Sequence, residues 1–393
     1  MTWRERRVRE MADLINGFPF DSTDFADDGD LPLVRIRDIL GTSFETFLPA
    51  EIVPEPVLVS DGDVVIGMDG DFNVVAWSRG PAALNQRLCL LRANGCADMR
   101  FLAYALPAHL QVINDLTYAT TVKHLSSSQV RGIRMTAPDL PEQRAIADYL
   151  DRETSRIDTL IEEQQRLIEM LRELRAALIS TETGWGSTRP DEWPMMRLSW
   201  LFQATGSGTT PSNEDITYDE DADVPWVTTG ELRESVVFGT ARGVTSEVVN
   251  RYSALKIHPA GSLLIAMYGA TIGRMALLGV DAASNQACCA LIGPTGAIPE
   301  FVQYSLMAAK GWLLLEAAGG GQPNINQDKI RSFRIPVPPL REQRRIAARL
   351  NDQTAKIDAL VAETERFIEL ARERRSALIT AAVTGQIDVR EVA

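Results

Sequence analysis

Two long stretches of the chain carry apolar residues three and four positions apart, and this spacing predicts two long helices. An average spacing of about 3.5 residues is typical of a coiled-coil seam. Prolines precede the stretches at Pro138 and Pro338, and Gly184 and Gly385 follow them, which are usual start and stop signals of helices. The predicted seam consists of Leu150, Ile157, Leu160, Leu167, Leu171, Leu178, Leu350, Ile357, Leu360, Phe367 and Leu378.

The two stretches are copies of one sequence. Of the 42 positions from 138 to 179, 22 are identical to the residue 200 positions further along. Self-similarity of this quality indicates an internal duplication. We expect the two helices to pair with each other, because both seams would otherwise be exposed, and a coil that dimerises with another chain is the alternative.

The regions that precede the helices share the order of their features, so the duplication includes a whole domain. Each has a polar Gly/Ser/Thr loop near its start, a turn followed by a buried strand at 62–66 or 261–265, an Asn-Gln pair and a short helix. The chain is therefore predicted to be α+β. We expect two similar domains of mixed α and β structure. The predicted segments are domains at 1–137 and 185–337, a long helix at 138–184, and a second long helix with a C-terminal tail at 338–393.

The charge of the chain argues against a basic DNA-binding domain. Its 393 residues carry a net charge of −13 at pH 7. A chain of this charge that holds DNA needs local patches, or a partner that supplies the basic surface. The most apolar stretch, at 263–280, is interrupted by glycines and Arg274, so we expect no membrane span.

The cysteines indicate the compartment but no metal site. Cys89, Cys96, Cys288 and Cys289 lack CxxC spacing and have no histidine nearby at ligand spacing. We therefore expect reduced thiols in a cytoplasmic protein and no bound metal.

Catalytic motifs are missing from the sequence. There is no Asp/Asn-Pro-Pro-Tyr/Phe motif of DNA methyltransferases, and no GxxxxGK[ST] phosphate loop. None of the three histidines stands in a Ser or Cys nucleophile context. We expect no catalytic residue and propose that two domains on a paired-helix spacer measure a target. A scaffold that binds only proteins and a self-sufficient nuclease or modification enzyme are the alternatives.

Three motifs resemble those of a known family. They are Val-Pro-Pro-Leu-Arg-Glu-Gln-Arg-Arg-Ile-Ala at 337–347, Ala-Leu-Ile-Thr-Ala-Ala-Val-Thr-Gly-Gln-Ile at 377–387 and Thr-Val-Lys-His-Leu-Ser at 121–126. Together with the order of domains and helices over the whole chain, they resemble the DNA specificity subunits of type I restriction–modification systems.

The resemblance implies a division of labour. Each target-recognition domain would contact one half of a split site in double-stranded DNA, and an antiparallel coiled coil would set the gap. Catalysis would belong to partners. Two methyltransferase subunits would bring S-adenosylmethionine and methylate adenine, and motor–nuclease subunits would use ATP and Mg²⁺, while this chain would hold no cofactor.

Residues that touch DNA must place donors, acceptors and cations on loops that reach a groove or the phosphates. The candidates are Phe20, Ser22, Arg35, Arg37, Arg79, Asn85, Gln86 and Lys123 in the first domain, and Ser207, Thr209, Thr210, Tyr268, Arg274, Asn285 and Gln286 in the second. Each Asn-Gln pair could equally form a turn or a buried amide network. Arg35 and Arg37 alternate along a strand-like run and could instead pair with the acidic loop at 24–30, and Thr209 and Thr210 could cap a turn.

Overall fold

The structure, a computed structural model of the chain, describes residues 3–116, 123–186, 189–218, 222–315 and 324–389. Contacts divide the chain into two compact units. Unit 1 comprises Met1–Gln165 with Arg366–Ala393, and unit 2 comprises Arg166–Glu365. Each long helix therefore contributes one part to each unit. Among the described helices, none has a stretch apolar and long enough to cross a membrane.

Unit 1 consists of two sheets, a small strand pair and helices. Its elements are β1 (Arg4–Arg7), β2 (Ala12–Asn16), β3 (Leu31–Val34), β4 (Phe47–Leu48), β5 (Leu58–Val59), β6 (Val64–Gly67), β7 (Val74–Ala76), β8 (Ala82–Leu84), β9 (Leu88–Ala93), α1 (Met99–Leu116), α2 (Ser127–Gly132), β10 (Arg134–Ala137) and the first part of α3 (Leu140–Glu182). The antiparallel first sheet has the order β2-β9-β6-β7, and the second has the order β4-β3-β8-β5 with β3 parallel to β8. Strand β1 pairs with β10.

The central strand β6 explains why the first sheet is buried on both faces. Side chains alternate between the faces of a strand. Val64 and Ile66 pack on one side with Phe101 of α1, whereas Val65 packs on the other with Leu84 of the second sheet. Because both faces are covered, the strand is a continuous apolar run. Full burial of each of these side chains stabilises the unit by about 1.5–3 kcal/mol.

Unit 2 repeats this arrangement. Its elements are β11 (Met195–Arg197), α4 (Leu198–Leu201), β12 (Phe202–Ser207), β13 (Val224–Val227), β14 (Val236–Val237), β15 (Gly243–Val244), α5 (Ser246–Arg251), β16 (Ile257–His258), β17 (Leu263–Ala266), β18 (Met275–Leu278), β19 (Ala282–Ser284), β20 (Cys288–Pro294), α6 (Pro299–Ala308), α7 (Lys310–Leu315), α8 (Gln327–Ser332), β21 (Arg334–Pro336) and the first part of α9 (Leu340–Val383). The sheet orders are β12-β20-β17-β18-β14 and β15-β13-β19-β16, and β11 pairs with β21.

Apart from one added strand, the sheet orders of the two units match, so the predicted duplication of a mixed α and β domain is confirmed. The five-stranded sheet of unit 2 corresponds to β2-β9-β6-β7 of unit 1 with one strand, β14, added beside β18. The second sheets correspond in the same way, including the parallel pairs β3–β8 and β13–β19. The added strand is the main difference between the two folds.

Within each unit the two long helices pair in antiparallel fashion. In unit 1 the Nε atom of Arg375, late in α9, lies 2.8 Å from a carboxylate oxygen of Asp158 in the first half of α3. In unit 2 the same contact recurs with the helices exchanged, because the Nε atom of Arg175 lies 2.9 Å from Asp358. Half-exposed ion pairs contribute little stability, but they report the register of the helices. The predicted antiparallel coiled coil is confirmed.

The predicted seam is right at some positions and wrong at others. Leu150, Leu350 and Ile357 are buried, and Ile157, Leu171, Leu178 and Leu378 are half-buried. The exposed members are Leu160 at 37%, Leu167 at 37%, Leu360 at 50% and Phe367 at 43%, so their placement in the seam was wrong. The residues that turn inward instead are their immediate neighbours Ile161, Ile168, Val361 and Ile368.

The error has a simple physical cause. Apolar residues stand side by side at these places, so two stripes with the same three-and-four spacing are available. The buried stripe also contains polar residues such as Thr154 and Arg175, so it is less apolar in the sequence than the exposed stripe beside it. The hydroxyl of Thr154 donates to the carbonyl oxygen of Leu150 one turn earlier, at 2.7 Å, so it is buried without losing its hydrogen bond.

A glutamine at the start of each long helix joins that helix to its domain. Gln143 is fully buried; its Oε1 accepts from the backbone N–H of Asp98 at 3.0 Å, and its Nε2 donates to the carbonyl of Pro138 at 2.9 Å. Gln343 repeats both bonds, to Ile298 at 2.8 Å and to the carbonyl of its own preceding proline at 2.8 Å. These residues belong to the duplicated Pro-x-Leu-x-Glu-Gln pattern at 138–143 and 338–343, which therefore anchors each domain to its helix.

A tyrosine in each domain makes a second anchor. The hydroxyl of Tyr104 on α1 donates to Asp151 at 2.8 Å and lies 3.2 Å from the hydroxyl of Thr154. In unit 2 the hydroxyl of Tyr304 on α6 makes the same contacts with Asn351 and Thr354, at 2.8 and 3.1 Å. Each domain is thus positioned on a helix by matching polar contacts, with Asp151 of unit 1 replaced by Asn351 in unit 2.

Candidate nucleic-acid interface

In unit 1 the loop after β2 crosses directly over the turn between β8 and β9. Gly17 donates its N–H to the carbonyl of Leu88 at 2.9 Å, and Phe18 donates to the carbonyl of Leu84 at 2.9 Å. A Cβ at Gly17 would lie 1.9 Å from the carbonyl oxygen of Asn85, so glycine alone fits this crossing. The crossing brings the predicted Phe20 and Ser22 loop to the predicted Asn-Gln turn.

Several exposed side chains surround this crossing, and together they form the first loop–turn surface. The rings of Phe18 and Phe20 pack edge to face with centroids 5.0 Å apart. Arg87, next to exposed Gln86, lies 3.3 Å from Asp69. Nδ1 of His124, which is also exposed, lies 2.6 Å from the same carboxylate. The surface consists of Phe18, Phe20, Ser22, Asp69, Asn85, Gln86, Arg87 and His124.

The predicted arginines of the first domain are engaged elsewhere. Strand β3 ends at Val34, so the strand-like run does not continue through Arg35 and Arg37. Nε of Arg35 lies 3.1 Å from Asp38, and Arg37 lies 3.0 Å from Glu45, so the salt-bridge alternative is observed with partners outside the loop at 24–30. These contacts hold the turn that follows β3.

Arg79 and Lys123 also have internal partners. Arg79 donates to the carbonyls of Asp38 and Ile39 at 3.1 and 3.0 Å and stacks over Trp77 at 4.0 Å. Lys123 Nζ donates to the carbonyl and the side-chain oxygen of Asn114, both at 2.7 Å. Both cations therefore hold loops in place, whereas DNA contacts by them stay a prediction.

The second domain makes the same crossing with different chemistry. A Cβ at Gly208 would lie 1.5 Å from the carbonyl oxygen of Ser284, so again only glycine fits. The hydroxyl of Thr210 donates to the side-chain oxygen of Gln286 on the turn, and the carbonyl of Thr209 accepts from the indole N–H of Trp226 at 3.2 Å. The second loop–turn surface consists of Ser207, Thr209, Thr210, Asn285 and Gln286.

Both asparagines of the predicted Asn-Gln pairs support their own turns. The side-chain oxygen of Asn85 accepts from the N–H of Arg87 at 3.4 Å, and that of Asn285 accepts from Ala287 at 3.2 Å. Both are half-buried, while Gln86 and Gln286 are exposed. The turn interpretation therefore describes the asparagines, and the glutamines are the members of each pair that face solvent.

Tyr268 and Arg274 lie on the connection between β17 and β18. Tyr268 forms an isolated bridge with Asn324 and packs partly against the core. Arg274 is exposed, and in the described part of the chain its guanidinium makes no ion pair. Of the predicted cations, Arg274 is thus the one whose charge is available to a phosphate.

Hydrogen bonds favour the carboxylate form of Asp215, on the loop that begins at the second surface. Ser212 and Tyr252 donate hydroxyl hydrogen bonds to Asp215, and Arg251 lies 2.7 Å away, which together lower the pKa of that carboxyl. The carboxylate form thus fixes the end of the loop that begins at Ser207. In the described ranges, no cluster of three His, Cys, Asp or Glu side chains could hold a metal ion.

Three of the cysteines are structural. Burial raises the pKa of Cys89, Cys288 and Cys289 to about 12 in each case, so these thiols are unreactive at neutral pH. Cys96 is exposed and free.

The sequence did not indicate that Arg87 and His124 belong to the first surface. It also did not indicate that Gln143 and Gln343 anchor the domains to the long helices. Arg87 directly follows the Asn-Gln pair, and His124 lies inside a motif quoted for its resemblance, so proximity to those motifs was the available signal. The tight crossings were not foreseen, because they depend on backbone approach across two sheets.

Comparison with known proteins adds a family. The model of the type I restriction modification DNA specificity domain matches residues 1–170 and again 190–369. The chain is similar to the type I restriction enzyme EcoBI specificity subunit of Escherichia coli, with 26% identity over 98% of this chain and 86% of that protein. It is also similar to the EcoR124I/EcoR124II specificity subunit of Escherichia coli, with 27% identity over 64% of this chain and 62% of that protein.

Solved structures share the fold. One, from work on complex assembly and conformational transition of the type I R-M system, has a TM-score of 0.77 at 17% identity and covers 98% of both chains. The HsdS subunit from Thermoanaerobacter tengcongensis has a TM-score of 0.57 at 18% identity, covering 98% of this chain and 97% of that one.

Proposed function

Because the chain belongs to the family of type I restriction modification DNA specificity domains, we propose that it reads a bipartite DNA target and directs partner enzymes to it. Residues 1–137 and 185–337 each read one half-site of double-stranded DNA. The helical segments 138–184 and 338–393 form the spacer that sets the gap between the half-sites.

One observation carries the proposal: both domains build the same loop–turn crossing and fill it with different side chains. Gly17 and Gly208 make the crossings, and no Cβ fits at either place. The first surface presents aromatic rings and Arg87, whereas the second presents the hydroxyl of Thr210 and the amide of Gln286. A conserved backbone frame with exchanged donors and acceptors suits two readers of different base sequences.

Catalysis belongs to partner subunits in this proposal. Two methyltransferase subunits supply S-adenosylmethionine and the adenine-methylating site, and motor–nuclease subunits with ATP and Mg²⁺ carry out cleavage. This chain contributes recognition and no catalytic group. The assembly works in the cytoplasm, where the free thiols stay reduced.

The exposed apolar side chains of the long helices support a docking role for the methyltransferase subunits. They follow a seven-residue spacing, with Leu160, Leu167 and Leu174 on α3, and Leu360 and Phe367 on α9. Each is at least 37% exposed, and exposed apolar rows of this kind mark interaction surfaces. The net charge of −13 is also consistent with partners that supply most of the cations around DNA.

The direct test combines the purified chain with its methyltransferase subunits and a DNA library in which both half-sites are randomised. We expect methylation only in the presence of the chain and only at a two-part sequence. Methylation by the chain alone would favour a self-sufficient enzyme. Normal assembly with methylation that ignores sequence would favour a protein scaffold.

The spacer is tested by inserting one heptad at matched places in both helices, which preserves the coiled-coil register. Seven residues at about 1.5 Å each lengthen the coil by about 10 Å, or about 3 base pairs of DNA. We expect the gap in the methylated sequence to grow by about that amount. An unchanged gap with unchanged half-sites would contradict the spacer role.

A further inference from the structure

The two corresponding sheets end differently, and the difference leaves an open edge in unit 1. In unit 2, strand β18 is covered by β14, whose Val236 and Val237 pair in parallel with Leu277 and Leu278. In unit 1, β7 is the last strand of its sheet. An uncovered strand edge is a ready template for another extended chain.

The pairing register of the strands identifies which backbone groups of unit 1 correspond to those of unit 2. Val64 of β6 pairs with Ala76, and the equivalent Leu263 of β17 pairs with Leu277, so Ala76 corresponds to Leu277. By the same register Val74 corresponds to Met275. In unit 2 the carbonyl of Met275 accepts from the N–H of Glu234 at 2.8 Å, and the N–H of Leu277 donates to the carbonyl of Ser235 at 3.0 Å.

The same groups face outward in unit 1. The N–H of Trp77 donates to the carbonyl of Asp63, and the N–H of Gly67 donates to the carbonyl of Asn73, at 2.8 Å each. Bonded and non-bonded pairs alternate in an antiparallel ladder, so the backbone groups of Val74 and Ala76 point away from β6. Among the described residues, no other backbone group bonds to them.

The chain segment that could have covered the edge is held elsewhere. In unit 2, β14 lies between β13 and β15, and the corresponding stretch of unit 1 is 35–46, between β3 and β4. Arg79 binds the carbonyls of Asp38 and Ile39 in this stretch, which keeps it folded as a turn. No other described strand of unit 1 covers the edge of β7, so this edge can accept another occupant.

A groove beside the edge gives that occupant room for side chains. It has a volume of 720 Å³ and lies between β7, α1 and the last turns of α9, lined by Val74, Ala76, Tyr104, Pro107, Ile379 and Val383. Three arginines also line it. Arg100 and Arg375 are each held by aspartates at 2.8 Å, whereas exposed Arg372 makes no ion pair within the described ranges. An acidic side chain would complement this free cation.

We propose that the edge of β7 and its groove bind an extended segment of a partner protein, as a fifth strand parallel to β7. The segment carries β-branched residues for the groove and an acidic residue for Arg372. The segment that plays this part in unit 2 is 233–240, Arg-Glu-Ser-Val-Val-Phe-Gly-Thr. It contains β14 and an acidic residue just before it. This site is separate from the loop–turn surfaces and does not depend on the proposed function.

The test uses a fluorescent, end-capped peptide with the sequence of 233–240 and the full-length chain. The carbonyls of Ser235 and Val237 accept from the N–H groups of Leu277 in β18 and of Gly279 just after it. Alternation therefore directs the N–H of Val237 toward the edge and that of Val236 away from it. We expect saturable binding by anisotropy. N-methylation at the Val237 position should weaken it at least about tenfold, whereas N-methylation at the Val236 position should change it less than about twofold.

A variant of the chain provides the reciprocal test. Ala76→Pro removes the outward N–H, and proline is tolerated where that group faces away from the sheet. We expect at least about tenfold weaker binding, with an unchanged unfolding temperature. If this variant fails to fold, the N-methylated peptides still decide the question with the natural chain. Arg372→Glu should weaken binding of the peptide with glutamate at the Glu234 position more than binding of a peptide with glutamine there.

Register is checked by disulfide trapping in a Cys96→Ser background. Ala76→Cys should trap a peptide with cysteine at the Val236 position faster than one with cysteine at the Val237 position. The proposal is overturned if no peptide binds at about 1 mM, or if both N-methylated peptides bind equally. If the chain self-associates and Ala76→Pro abolishes that association, a second copy is the occupant and the proposal is overturned. Displacement of the peptide by DNA would also overturn it.

Discussion

The two loop–turn surfaces are built on one backbone frame and differ in nearly every side chain that meets solvent. The first offers Phe18, Phe20 and Arg87, whereas the second offers Thr210 and Gln286. By contrast, the glutamine and tyrosine anchors that join each domain to its helix are the same in both units. Duplication has thus preserved the contacts that position a reader and changed the groups that would read.

The largest expected effect comes from filling a crossing. Gly208→Ala places a Cβ 1.5 Å from the carbonyl oxygen of Ser284, so we expect a loss of at least about 2 kcal/mol in the free energy of unfolding of unit 2. Gly17→Ala should do the same to unit 1. Gly239→Ala is the matched control, because its Cβ would meet nothing within 4 Å. Thermal unfolding measures all three, and equal stability of Gly208→Ala and Gly239→Ala would refute the tight crossing.

Removal of the glutamine anchor should lower the free energy of unfolding by a similar amount in the two units. Gln143→Leu and Gln343→Leu each leave a buried backbone N–H and carbonyl without their partner, which costs about 2 kcal/mol. Gln165→Leu, at an exposed position of α3, is the control. Urea unfolding should show similar losses for the two anchor variants and little for the control. A loss confined to one unit would mean that the anchors are not equivalent.

The reading groups should have separate effects on the two half-sites. Under the proposed function, Arg87→Ala relaxes the first half-site and Thr210→Val relaxes the second, because each removes donors from one surface only. Loss of one such contact changes base discrimination by about 1–3 kcal/mol. Sequencing of methylated library DNA measures both half-sites at once, so each variant's other half-site is its control. Relaxation of both by one variant would argue for a structural effect.

The smallest expected effect is the acid sensitivity that unit 2 owes to His258. His258 is buried against Ser284 at 3.2 Å, and burial lowers its pKa from the ordinary 6.5. A lowered histidine pKa means that the unfolded state binds the proton more tightly, so stability is full above pH 6.5 and falls as the pH drops below it. The corresponding positions in unit 1 are Val59 and Leu84, which cannot titrate.

We therefore expect the unfolding temperature of unit 2 to fall between pH 6.5 and about pH 5. Replacing His258 and Ser284 by the residues of unit 1, as His258→Val with Ser284→Leu, should remove that dependence. Persistence of the same slope in the double variant would assign it to other groups.

Much of the architecture followed from patterns in the sequence. The 200-residue repeat predicted two similar domains and two paired helices, because identical segments fold alike and apolar stripes must be covered. The coiled-coil seam was only partly right, since adjacent apolar residues such as Leu160 and Ile161 give two stripes with equal spacing. Only the packed partner helix distinguishes them, and it buries Ile161.

Among the candidate site residues, the sequence did not show which cations have partners within the chain. Arg35, Arg37 and Arg79 have the right charge for phosphate. Arg35 and Arg37 nevertheless pair with carboxylates of their own loop, and Arg79 donates to carbonyls of that same loop from another turn. Charge is readable from the sequence, but the distance to a carboxylate or carbonyl that occupies it is not.

Repetition and helix periodicity are properties of the order of residues, and they sufficed to predict two similar domains and two paired helices. The expected family came from the resemblance of three motifs. Long-range approach of backbone to backbone decided the rest. It made the two glycine crossings, selected the inner stripe of each helix, and covered the sheet edge of unit 2 with β14, whereas no strand in the described part of the chain covers β7. These outcomes depend on which surfaces meet across the sheets, and such meetings are set by packing and hydrogen bonding between residues far apart in the chain.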